Sequence, residues 1–131
     1  MKTIKVVAAI IMKDNKILIA KRKKGEFAGM YEFPGGKIEK NESGEEALIR
    51  EIQEELEASI TIEQYFMNVN YQYPNFILDM DCYLCTLNDN HMKLNDHSMV
   101  KWINLDEKNI DWIPADIQII EELKKRFLKC Q

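Results

Sequence analysis

The 131 residues hold no apolar run approaching the 18 or more that a membrane-spanning helix needs, only three prolines and five glycines, and no excess of basic residues. The first absence excludes a transmembrane helix. The longest apolar run, Val6–Met12, stands too near the start to follow the positive region of a secretory signal, so a cytoplasmic location without a membrane partner is expected. Few prolines and glycines, with 46% hydrophobic and 31% charged residues, exclude collagenous, linker-like and disordered chains. Eighteen basic against 22 acidic residues, a net charge of −4, exclude a basic face for gripping a nucleic-acid duplex. The length predicts one domain over 1–131 with one core and one site, and leaves monomer and homodimer both open.

Cysteine is scarce and odd in number. Cys82, Cys85 and Cys130 fit a reducing compartment better than a disulfide framework. Cys82 and Cys85 form a C-x-x-C, but within the strand-like run Phe76–Leu87 residues three apart point to opposite faces, which argues against a shared metal or redox site.

What is present is a regular alternation of elements. Thr3–Ile11 and Lys16–Ala20 are apolar, β-branched segments flanking Asp14-Asn15, which predicts an opening hairpin. The basic run Lys21-Arg22-Lys23-Lys24 leads into a loop with Gly25 and Gly29; it reads as a solvated face or as a phosphate-facing patch. Tyr31-Glu32-Phe33 is extended, and Pro34-Gly35-Gly36 predicts a turn whose glycines permit positive φ or close backbone approach. Ser43-Gly44-Glu45-Glu46 is a capping box starting a helix that runs to about Glu57. Ile60–Tyr73 and Phe76–Leu87 read as strands joined at Pro74-Asn75, Met99–Ile103 as a short strand, and Ala115–Leu128 as a closing helix with Ile117, Ile120, Leu123 and Phe127 on its apolar stripe. This order predicts an α/β (α+β) fold, a mixed sheet between helices.

Eight of the 22 acids fall within 39–57. At about 100° per residue, Glu51, Glu54 and Glu55 share a stripe about 100° wide beside an apolar face of Leu48, Ile49, Ile52 and Leu56. An ordinary solvated helix sets Glu against Lys at i, i+4. Here Glu51 faces Glu55, and Arg50 is the helix's one cation. Gathered like charges are consistent with an acidic surface helix or with a hard divalent cation, since Mg2+ takes oxygen ligands and bridges carboxylates to substrate phosphates.

The residues around the acids bear on that choice. Gly36-x5-Glu42-x7-Arg50-Glu51-Ile52-x-Glu54-Glu55 resembles the box of the Nudix hydrolases, which act on a nucleoside diphosphate linked to another group. Val6–Ile11, Lys16–Ala20 with Arg22, Glu32-Phe33-Pro34-Gly35-Gly36-Lys37 and Pro114-Ala115-Asp116-Ile117 are similar to the MutT-type nucleoside triphosphate pyrophosphohydrolases, including relatives acting on CTP. The resemblance covers most of the chain and implies a Nudix-like α/β/α sandwich. One box position departs from the family pattern. Glu57 stands where a glycine in the left-handed region is usual, and a glutamate enters that region at a cost of about 1 kcal/mol, which predicts a longer last helical turn.

The resemblance also implies roles. Glu51, Glu54 and Glu55, assisted by the main-chain carbonyl of Gly35, would hold Mg2+, with Mn2+ able to substitute. Arg50 would orient the acids, with Glu42 supporting, and Asp96 would supply a further ligand or the base; a plain turn residue in Asn95-Asp96 is the alternative. Arg22 and Lys37 are the candidates for phosphate contacts. Asp116, otherwise a first-turn helix acid, would read the nucleobase edge; ionised, it would only accept hydrogen bonds and so favour cytosine or guanine N–H groups over the uracil O4 edge. Tyr73 and Phe76 would stack on the base or serve as core aromatics. His97 and His91 read as loop histidines. The implied activity is Mg2+-dependent cleavage of a small-molecule nucleoside triphosphate to monophosphate and pyrophosphate, for removal of 8-oxo-dGTP or hydrolysis of CTP or dCTP. ADP-ribose or dinucleoside polyphosphate hydrolysis, and non-catalytic nucleotide sensing, are the alternatives.

Overall fold

Asp14 and Asn15 both take positive φ, 53° and 64°, as a tight two-residue hairpin turn requires. They join β1 (Lys2–Lys13) to β2 (Lys16–Arg22), which pair antiparallel at Met12–Ile17 and Lys13–Lys16. Below that tip the hairpin splays, because each strand finds another partner. In the computed structural model, which describes residues 1–128, β2 pairs antiparallel with β3 (Tyr31–Glu32) and β7 (His97–Asn104). β1 pairs antiparallel with β4 (Gly35–Lys37) and, along its other edge, parallel with β6 (Phe76–Leu87). β5 (Ile60–Gln72) closes the edge against β6. Helix α1 spans Gly44–Leu56; a 3-10 turn, Pro114–Asp116, leads into α2, Ile117–Phe127.

Alternation along β1 and β6 divides the core between two faces. Val7, Ala9, Ile11, Tyr83 and Cys85 pack with Ala47, Leu48, Ile52 and Leu56 of α1. Ala8, Ile10, Cys82 and Leu84 pack with Ile119, Ile120 and Leu123 of α2. The expected sandwich is therefore present, and Cys82 and Cys85 lie on opposite faces of the sheet; Cys130 falls outside the described residues. Among the described residues no helix is long and apolar enough to cross a membrane.

Three apolar assignments need correction. Ile49, Ile117 and Phe127 are exposed, at 49%, 41% and 46%. On each helix the contact face is narrower than the apolar arc. Ala47 joins the buried face of α1 and Ile119 that of α2.

Candidate active site

The acidic helix is held at both ends. At its start Ser43 Oγ accepts from the Glu46 amide at 3.1 Å, and Glu46 Oε1 accepts from the Ser43 amide at 2.8 Å, the reciprocal capping box. At its end no extra turn forms. Glu57 itself adopts the left-handed conformation, φ 48° and ψ 39°, as a glycine there would. The physical reason is the 93–95 segment, which takes the last carbonyls: the Lys93 amide donates to Leu56 O at 2.7 Å, the Asn95 amide to Glu55 O at 2.9 Å, and Asn95 Nδ2 to Glu54 O at 2.8 Å. Asn95 Nδ2 also donates to Glu57 Oε2 at 3.1 Å. These bonds leave no carbonyl for another helical turn and offset the cost at Glu57.

Pro34-Gly35-Gly36 is not a turn. Its glycines form β4, with neither at positive φ, and Pro34 O accepts from the Ala9 amide at 2.8 Å. What the glycines provide is close approach. A side chain at Gly35 would collide with the Val7 carbonyl, and one at Gly36 would occupy the place of the Glu51 carboxylate. The bare backbone of β4 thus lies directly against the acids.

Arg50 is the hub of the acidic cluster. Its Nε and Nη2 donate to Glu42 at 2.7 and 2.9 Å, Nη2 also donates to Lys37 O at 3.0 Å, and Nη1 lies 3.2 Å from Glu54 and 3.4 Å from Glu51. The Arg50 hydrogen bonds hold the Glu42 carboxyl well down, at about 2. The same bonds push the guanidinium above its ordinary value.

Glu55 is the opposite case. Its Oε1 is buried without any hydrogen-bond partner, and burial, then the negative charges of Glu32, Glu51 and Asp96, push its carboxyl up to about 8. Burial also raises Glu51. An orphaned carboxylate oxygen among repelling carboxylates fits a hard cation, which would satisfy that oxygen and remove the repulsion. Among the described residues no three acidic, His or Cys side chains already stand gathered at ligand spacing.

Two further residues belong to this wall. Glu32 Oε1 lies 3.2 Å from Arg22 Nη1, and Glu32 Oε2 lies 2.9 Å from Nε2 of His97, a buried side chain whose Nδ1 has no partner. His97 is therefore the first residue of β7 and not a loop histidine. Sequence reasoning missed Glu32; the available signal was an acid directly before the buried Phe33 in a strand.

Asp116 lies at the other end. It is 5% exposed, Oδ2 accepts from the Phe33 amide at 2.8 Å, and burial pushes its carboxyl up to about 8. Burial thus favours the protonated form of Asp116, which can donate as well as accept, over the ionised, accept-only group expected from the sequence. It caps nothing, since no side-chain bond reaches the start of α2. Tyr73 is buried, stacks on Phe76 at 5.2 Å, meets Phe27 and Tyr71, and accepts from the Ala115 amide through its hydroxyl at 3.2 Å.

All the candidate residues, namely Arg22, Gly35, Lys37, Arg50, Glu51, Glu54, Glu55, Tyr73, Phe76, Asp96 and Asp116, line one cavity of about 850 Å³. It is acidic along α1 and aromatic beside Asp116, a division suited to a ligand with a phosphate end and a flat apolar end.

A family model described as NUDIX domain matches residues 6–122. The chain is 35% identical over 123 residues to the CTP pyrophosphohydrolase of Escherichia coli, covering 92% of this chain and 91% of that protein. It is 35% identical over 127 residues to the 8-oxo-dGTP diphosphatase of Buchnera aphidicola, covering 95% and 96%. The crystal structure of a MutT NUDIX hydrolase from Burkholderia pseudomallei superimposes with a TM-score of 0.83 at 27% identity, covering 94% of this chain and 99% of that one.

Proposed function

This chain belongs to the NUDIX domain family, and from that premise we propose that it hydrolyses nucleoside or deoxynucleoside triphosphates to the monophosphate and pyrophosphate with Mg2+. The reaction is hydrolysis of a phosphoric anhydride bond, as the names of the two relatives, a pyrophosphohydrolase and a diphosphatase, describe for those proteins. The substrate is 8-oxo-dGTP or a cytidine triphosphate.

The observation that carries this reading is Glu55 Oε1, buried without a partner among Glu32, Glu51 and Asp96, with the bare backbone of β4 against the neighbouring Glu51 carboxylate. Glu51, Glu54, Glu55, the Gly35 carbonyl and Asp96 would hold the divalent cation. When bound, the cation supplies charge neutralisation on phosphate oxygens and a lowered pKa for coordinated water. Arg50 keeps Glu51 and Glu54 oriented through its bonds to both and to Glu42. Glu54, the most exposed of the helix acids beside Arg50, and Asp96 are the candidates to take a proton from the attacking water. Arg22 and Lys37 contact phosphate oxygens. Asp116 presents its carboxyl to the base edge, and Phe76 supplies an aromatic surface.

The test is a panel of CTP, dCTP, UTP, dGTP and 8-oxo-dGTP with Mg2+, following pyrophosphate against orthophosphate. Pyrophosphate released with a preference for 8-oxo-dGTP or a cytidine nucleotide is the expected result. Orthophosphate as the product, or no turnover of any triphosphate, would overturn the reading.

A further inference from the structure

The basic run at the end of β2 does not behave as one patch. Lys21 turns away from the cavity and lies over the Tyr31 ring at 5.9 Å, whereas Arg22, Lys23 and Lys24 line the cavity. Both lining guanidiniums have carboxylate partners. Arg50 lies among Glu39, Glu42, Glu51 and Glu54, and Arg22 is paired with Glu32. The lysines that line the cavity, Lys23, Lys24 and the Lys37 already assigned to phosphate, make no ion pair among the described residues.

The loop that carries them is fixed at both ends. The Arg22 amide donates to Met30 O and the Gly29 amide to Arg22 O, each at 2.9 Å, closing its neck. Gly25 and Gly29, both at φ 87°, make the reversals that a side chain would strain. Phe27 packs on Tyr73 at 5.6 Å and ties the far side of the loop to the aromatic wall. Arg22 lies opposite His97 in the β2–β7 register, and Asp96 precedes His97, while the adjoining Asn95 is bonded to the end of α1. Lys23 and Lys24 therefore leave β2 where Asp96 and the acidic helix converge. Lys23 and Lys24 thus line the same cavity as the carboxylate-rich wall, where their ammonium groups can meet a polyanion held on a cation there.

We propose that Lys23 and Lys24 hold the distal phosphates of a linear triphosphate and so select nucleoside triphosphates over nucleotides whose diphosphate ends in a neutral sugar. This rests on the nucleotide-hydrolase reading above. A neutral terminal sugar offers the two ammonium groups no charge to meet, whereas a terminal phosphate offers the strongest available acceptor.

The experiment compares the full chain with the double variant Lys23→Gln/Lys24→Gln by calorimetry, in the presence of Mg2+. The probes are the α,β-methylene analogues of CTP and dGTP, the matching monophosphates, and ADP-ribose. The variant is expected to lose at least about tenfold in affinity for the triphosphate analogues, while its affinities for the monophosphates and ADP-ribose change by less than about twofold. The dependence of triphosphate affinity on salt should become shallower. Equal loss for every probe, no loss for any, or a wild type that binds triphosphate no better than monophosphate would overturn the proposal. Failure of the function reading would look different: wild-type protein that shows the binding pattern but turns over no triphosphate.

Discussion

Arg50 and Glu42, eight residues apart, meet through two parallel hydrogen bonds, Nε to Oε2 at 2.7 Å and Nη2 to Oε1 at 2.9 Å. The pair lets one guanidinium serve the acids of α1 while anchored to the loop before the helix.

Arg50→Lys keeps the charge but cannot reproduce the fork. Turnover should fall about 10- to 100-fold, in kcat more than in KM, because the acids lose their orientation. The Glu42 carboxyl, held at about 2 by Arg50 and by the Glu39 amide in the wild type, should titrate higher in the variant while staying below the ordinary glutamate value, because the amide bond remains. Carbon-detected NMR titration of Glu42 checks the second point; an unchanged titration would contradict the assignment of Arg50 as the cause.

Burial raises the carboxyls of Glu55 and Asp116 to about 8 from ordinary values of 4.5 and 3.8. A group raised on folding contributes stability fully below its unfolded pKa and loses it as pH rises through the folded one. Cation-free protein should therefore lose stability between about pH 4 and pH 8. Glu55→Gln and Asp116→Asn should each be more stable than wild type at pH 9, by on the order of 1–3 kcal/mol, and flatter with pH. Added Mg2+ should remove the Glu55 share but not that of Asp116. Denaturant titrations at pH 5.5 and 9, with EDTA and with Mg2+, separate the two.

Asp116→Ala leaves the Phe33 amide without its acceptor and the aromatic end of the cavity without its polar group. The preferred triphosphate should lose about 1–3 kcal/mol in kcat/KM, and the ranking among bases should flatten. Asp116→Asn, which still offers a donor and an acceptor, should retain most of the ranking. If neither variant changes the order of CTP, UTP, dGTP and 8-oxo-dGTP, the base is read elsewhere.

Glu57→Gly removes a left-handed glutamate and one hydrogen bond from Asn95. The two effects oppose each other. Relief of about 1 kcal/mol outweighs an exposed contact, so thermal unfolding should show unchanged or slightly raised stability, with turnover within about tenfold of wild type. A larger loss of turnover would assign Glu57 a part in the reaction.

Much of the site was legible because its signals are local. Ser43 and Glu46 are three residues apart, Glu51, Glu54 and Glu55 share one helical stripe, and Asp14-Asn15 suits a tight turn by its own chemistry. Where the reading failed, the deciding partner was remote. Pro34-Gly35-Gly36 is extended because Val6–Ala8 pairs with it, Glu57 turns left-handed because residues 93–95 occupy the helix end, and His97 is buried because Glu32, 65 residues earlier, bonds it. The raised carboxyl of Asp116 is equally remote in origin, since burial under distant elements causes it.

The central claim is that the acids of α1 hold a divalent cation for cleavage of a triphosphate, and metal removal tests it most directly. Wild-type protein stripped with EDTA and assayed on CTP and 8-oxo-dGTP should be inactive, and added Mg2+ or Mn2+ should restore one pyrophosphate released per monophosphate formed. Hydrolysis that continues in the chelated protein, or restored activity that yields orthophosphate, would contradict it.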